Sequence, residues 1–111
     1  MEKIYNKLVR DNIPNIIKDK NKEIPVTRIL SDDEYKKEFH KKLIEECNEL
    51  ISAEIKSDVI EEASDVFEVL RAISESEGAN IDTGIEASEQ KRQIRGGFTK
   101  RIFLEKTICQ E

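Results

Sequence analysis

At 111 residues the chain is the size of one ordinary domain, so residues 1–111 are read as a single unit. With 37% apolar and 39% charged residues and no Trp, a protomer folding alone would have a thin core for its surface, which favours partner chains. A net charge of −5 excludes a general nucleic-acid polymer binder, which needs an excess of Lys and Arg, but is compatible with a polyphosphate held through divalent cations.

The first ten residues mix apolar Ile4, Tyr5, Leu8 and Val9 with polar residues over too short a span to define an element. Pro14 then suits a helix start, because it lacks only an N–H that would be orphaned anyway; a short helix is expected over about 13–20, capped by Asp11 or Asn12. The β-branched run Ile24 to Leu30 predicts a short strand, with Pro25 confining it to an edge or a strand start. Ser31-Asp32-Asp33-Glu34 is a helix start signal, and a long helix follows from about Asp33 to Ile55.

Lys56-Ser57-Asp58 reads as a tight break, with Ser57 or Asp58 capping a second helix that runs to about Glu77 and stops at Gly78. So short a link predicts an antiparallel hairpin. A third helix opens at Asp82-Thr83 or Gly84 and ends at Gly96-Gly97; the apolar residues after it predict a closing strand near 98–106 that pairs with 24–30.

Cys47 and Cys109 are not in CxxC spacing and His40 is the single histidine, so one chain cannot assemble a four-ligand zinc site, and reduced thiols are expected. No segment approaches the roughly 20 apolar residues of a membrane span, and Met1 to Arg10 lacks a signal-peptide apolar run. A cytoplasmic protein with no membrane partner is the expectation.

On a wheel of about 100° per residue, Phe39, Leu43, Ile44, Cys47, Leu50 and Ile51 form an apolar stripe on the long helix. Glu46 falls inside that stripe and Glu49 at its edge, while Glu45 points away. On the second helix Val59, Ala63, Val66, Phe67, Leu70 and Ile73 form the stripe, and Glu62 and Asp65 take the same two angular positions. Four carboxylates converging on a partly buried margin need raised pKa values or bound cations, and Mg²⁺ takes oxygen ligands of this kind. Against this stands the plainer reading that acidic residues at the edge of an apolar stripe merely solvate a surface. Lys91, Arg92 and Arg95 before Gly96-Gly97 fit phosphate binding, or equally an ordinary basic helix C-terminus. His40, on the stripe's margin, reads as a packing or capping residue.

Glu45-Glu46-Cys47-Asn48-Glu49 followed by Glu61-Glu62-Ala63-Ser64-Asp65 resembles the EExxE and ExxD signature of the MazG-like and phosphoribosyl-ATP pyrophosphohydrolases, at the short end of its spacing. Tyr5 to Pro14 and Lys91 to Phe98 resemble a small single-domain subgroup of the same enzymes, so the likeness runs nearly end to end. The resemblance implies a mainly α fold whose helical hairpin is completed into a four-helix-type bundle by a homodimer or a dimer of dimers. It implies Mg²⁺, with Mn²⁺ as a substitute, on Glu46, Glu49, Glu62 and Asp65. Glu45 or Glu46 would take the proton from water, and the residues do not choose between the roles of base and ligand. Lys7, Arg10, Lys91, Arg92, Arg95, Gly96 and Gly97 would bind phosphate, with Asp11 orienting Arg10. The implied reaction is hydrolysis of a nucleoside triphosphate to a monophosphate and pyrophosphate, in house-cleaning or on phosphoribosyl-ATP. The rival from another class is a non-catalytic helical interaction module.

Overall fold

Helix α1 spans Ile13–Ile16 and runs on into a π-helical turn over Ile17–Asn21 that closes at Lys22 in the left-handed region (φ 56°) in the computed structural model, which describes residues 1–110. Asn12 is the N-cap residue without a side-chain cap bond, and Pro14 lies in the first turn. Helix α2 spans Asp32–Ser52, α3 Lys56–Ser76 and α4 Ile81–Arg95.

Local chemistry sets these boundaries. Ser31 accepts from the Glu34 N–H while the Glu34 carboxylate accepts from the Ser31 N–H, a reciprocal capping box that satisfies two otherwise orphaned donors at the start of α2. Arg28 donates to the two oxygens of Glu34 at 3.2 and 2.7 Å, fastening the segment before the helix to its first turn. The break after α2 falls at Ala53 to Ile55, so Lys56, Ser57 and Asp58 lie inside α3, whose N-cap is Ile55 with no side-chain cap bond. At the end of α3 the chain turns through Gly78 (φ +72°). The Gly78 N–H reaches the Glu75 carbonyl at 3.0 Å and the Ala79 N–H the Ser74 carbonyl at 2.9 Å, the double bond of a Schellman turn. Asn80 then caps α4 by accepting from the Asp82 N–H, so that helix begins ahead of the expected Asp82 to Gly84.

The hairpin of α2 and α3 forms as expected, and it carries most of the tertiary packing. α4 leans on α3 and does not reach α2. Its first residue, Ile81, is buried, and every later residue of α4 is exposed. Among the described residues only Phe39, Val69 and Ile81 form a buried apolar core, with Tyr35 tilted against Phe39 at 4.0 Å between ring centroids.

The expected β element is not formed: among the described residues there is no strand. Residues 24–30 and 98–106 run without a pairing partner, and Ile24, Val26, Ile29, Phe98, Ile102 and Phe103 stand almost fully exposed. A β-branched sequence makes a strand only when another edge supplies the ladder and a layer covers one face, and this protomer supplies neither. Arg101, in the left-handed region (φ 59°), interrupts the second segment.

The protomer is correspondingly extended. Its Cα radius of gyration is 19.1 Å, against about 13 Å for a compact chain of this length. Its accessible surface is 10665 Å², against about 6300 Å² for a compact monomer of this mass. Part of each apolar stripe remains open, with Ile44 and Ile51 on α2 and Phe67 and Leu70 on α3 still exposed.

The Arg28 hydrogen bond, aided by Ser31, holds the Glu34 carboxyl down at about 2. A depressed carboxyl contributes stability above its unfolded value of about 4.3 that is lost as pH falls towards about 2. Between those limits the thermal midpoint of the wild type is expected to fall more steeply than that of Glu34→Gln, which keeps the capping geometry and removes the charge. Parallel pH profiles in calorimetry would contradict this account of the α2 terminus.

Candidate metal centre

The hairpin brings carboxylate oxygens of Glu46, Glu62 and Asp65 within 4.8 Å of one another, each side chain half-buried. The expected fourth member, Glu49, is not in this group; it lies on the exposed rim, near enough for its charge to act on Glu62. Glu45, the residue before Glu46 on α2, is not in the group either.

Positive side chains already meet these acids. Lys42 lies on α2 with its side chain only 16% exposed, 3.2 Å from Glu45 and 3.4 Å from Glu46. Arg10 reaches Asp65 at 2.7 Å and Lys7 reaches Glu45 at 3.4 Å, so the N-terminal segment is joined to both helices of the hairpin. Arg10 therefore bonds to Asp65 and not to Asp11, the partner expected from the sequence. Lys42 was missed there although its spacing was readable: it stands one helical turn before Glu45 and Glu46, at the distances where helix side chains pair.

The charges divide the acids into two kinds. Desolvation raises the Glu62 carboxyl above its ordinary range, and the charges of Asp65, Glu49, Glu46 and Glu61 push the same way. For Glu45, desolvation also acts upward, but hydrogen bonding and attraction from Lys42, together with Lys7, outweigh it and leave the carboxyl lowered. Glu62 thus has the greater appetite for a proton or a cation, while the carboxyl of Glu45, expected with Glu46 as the alternative proton acceptor, is lowered by lysines.

The donor set fits a hard divalent ion. It offers oxygen only, from three carboxylates close enough to share one partner, without the sulfur or imidazole that would favour zinc. His40 is exposed and borders a small hollow with Phe39, Ile73 and Glu77, away from the acids. Cys47 and Cys109 are free thiols.

The basic half of the expected site lies elsewhere in the protomer. Lys91, Arg92 and Arg95 are on the exposed last turns of α4, and no ion pair among the described residues joins them to the acids. Past Gly96 (φ +82°) the chain curls around a hollow of about 230 Å³ lined by Arg95, Gly96, Gly97, Lys100 and Arg101 among others. The Arg92 guanidinium lies 3.7 Å from where a side chain on Gly97 would begin. Backbone and cations thus converge on this turn, but no acid of the cluster lines the hollow.

Compared with protein-family models, with curated proteins and with solved structures, the chain matches none of them.

Because desolvation and the neighbouring acids disfavour the ionised form of Glu62, Glu62→Gln is expected to raise the thermal midpoint of the metal-free protein at pH 7. A lowered midpoint would show that the Glu62 charge is structurally required. Lys42→Met is expected to act the opposite way, lowering the midpoint by an amount recovered only in part in Lys42→Met/Glu46→Gln, since Glu45, the nearer of the two acids paired with Lys42, still loses its cation.

Proposed function

We propose that the protein is a Mg²⁺-dependent nucleoside-triphosphate pyrophosphohydrolase whose metal is held by Glu46, Glu62 and Asp65, with Glu49 on the open side. The observation that carries this reading is the convergence of those three carboxylates across the α2–α3 hairpin. The resemblance of Glu45 to Glu49 and Glu61 to Asp65 to the EExxE and ExxD signature supports it.

In the reaction a water oxygen forms a bond to the α-phosphorus while the bond from that phosphorus to the α–β bridging oxygen breaks, giving a nucleoside monophosphate and pyrophosphate. A bound divalent ion supplies positive charge against the phosphate oxygens and acidifies water. The residues must also provide a proton acceptor. Glu62, whose proton affinity is raised, is better placed for that than Glu45, whose carboxyl is lowered, and Glu46 shares Lys42 with Glu45.

The triphosphate needs cations beyond the metal, and Lys91, Arg92, Arg95 and the Gly96-Gly97 turn are the groups suited to it. Within one protomer they stand apart from the acids, so the proposed active unit is a homodimer or dimer of dimers, whose second copy covers the open apolar stripes to complete a four-helix-type core and brings its basic turn to the cluster. The surplus accessible surface supports that assembly. Lys7 and Arg10 are assigned to the same phosphates.

One observation favours a different class: Lys42, Arg10 and Lys7 neutralise the acids without an ion, as they would in a helical interaction module. An assay of pyrophosphate release from a panel of nucleoside triphosphates and phosphoribosyl-ATP separates these readings. The enzyme reading expects Mg²⁺-dependent release, lost by at least about 100-fold in Glu46→Gln and in Asp65→Asn while both variants remain folded. Release from phosphoribosyl-ATP alone would move the substrate to histidine biosynthesis, and no release from any compound would favour the module. Light scattering is expected to give a dimer or tetramer at micromolar concentration; a stable folded monomer would contradict the assembly.

A further inference from the structure

The residues before α1 have no regular structure among the described positions 1–12, yet they are attached to the hairpin at two points. Lys7 is paired with Glu45 of α2 at 3.4 Å and Arg10 with Asp65 of α3 at 2.7 Å; between them Leu8 and Val9 are half-buried. The segment is thus a strap across the hairpin, and one of its two polar fasteners uses a carboxylate of the three-acid cluster.

The two cations nearest the cluster differ in how firmly they are placed. Lys42 is built into α2, its side chain is largely covered, and its pairs are with acids three and four residues along the same helix. Arg10 has a side chain 55% exposed and sits on irregular backbone, so its position depends on the Asp65 pair itself. A second cation held jointly by Glu46, Glu62 and Asp65 would lie beside the guanidinium, adding like-charge repulsion and competing for the same carboxylate. Of the two residents, Arg10 is the one able to leave.

We infer that Arg10 is the exchangeable counter-ion of the carboxylate cluster: in the metal-free protein it neutralises Asp65, and a divalent cation entering the cluster displaces it and loosens the strap. This rests on the metal site proposed above and adds an order of events to it. The freed guanidinium, with five N–H donors in a planar fork, is a group suited to phosphate oxygens. Metal entry would thereby create a phosphate-binding group that the metal-free protein keeps occupied.

The test uses Mn²⁺ alone, titrated calorimetrically into the full-length wild type, Arg10→Met and Asp65→Asn. Removing the competitor is expected to tighten Mn²⁺ binding in Arg10→Met by roughly three- to fivefold, the scale of one exposed ion pair. Asp65→Asn is expected to weaken it. Unchanged or weaker binding in Arg10→Met, with a wild type that does bind, overturns the inference and leaves the metal site standing. No saturable binding by the wild type removes both. Should Arg10→Met fail to fold, backbone amide relaxation of the wild type with saturating Mg²⁺ decides: increased mobility confined to residues 7–11 supports displacement, and an unchanged strap refutes it.

Discussion

Acidic side chains from two neighbouring helices can approach one another closely only if a proton or positive charge offsets their repulsion. In this protein the approach is close, with oxygens of Glu46, Glu62 and Asp65 within 4.8 Å, and the positive charge comes from two unlike sources. Lys42 is part of the helix that carries Glu46; Arg10 arrives from a segment that would otherwise have little to hold it. Much of the local architecture follows from this balance: the N-terminal segment lies where it does because α2 and α3 attract it, and Glu62, which has no cation of its own, is left with raised proton affinity. A site in that condition is poised for a hard cation, because each added positive charge relieves repulsion already present in the fold.

The second constraint is surface. Among the described residues three buried apolar side chains are few for a domain of this size, and Ile44 and Ile51 of α2, Phe67 and Leu70 of α3, all of α4 beyond Ile81 and the apolar residues after Gly97 lie exposed. Burying apolar surface is the main force available to hold helices together, at about 25 cal/mol per Å², and the protomer leaves much of it unused. The shape of the chain and the division of its chemistry point the same way. Acids sit on the hairpin and cations on the far end of α4, so an assembly of copies would join two half-sites as well as two half-cores.

The fold was legible in the sequence where the information was local. Ser31 and Glu34 announced α2, Gly78 announced the end of α3, the short link between α2 and α3 announced a hairpin, and the matching periodicity of Leu43 to Leu50 and Val59 to Leu70 put Glu46, Glu62 and Asp65 on its margin. What failed depended on partners distant in sequence. Ile24 to Leu30 and the tail after Gly97 have strand-forming composition, but composition does not supply a neighbouring edge, and both segments stay unpaired. Angular position on a wheel placed Glu49 beside Glu46, yet how closely two helices approach along their length is set by packing, and Glu49 lies at the rim. Lys42 could have been found from spacing alone, and the Arg10 to Asp65 pair, 55 residues apart, could not.

If the proposed reading holds, the three carboxylates form a specific divalent-cation site. Substoichiometric Mn²⁺ added to isotopically labelled protein tests it directly, because paramagnetic broadening falls steeply with distance from the ion. Broadening is expected to centre on Glu46, Glu62 and Asp65, to spread to Arg10 and Lys42 and to be reversed by excess Mg²⁺. Broadening scattered over the acidic surface, or centred away from the α2–α3 hairpin, would contradict it.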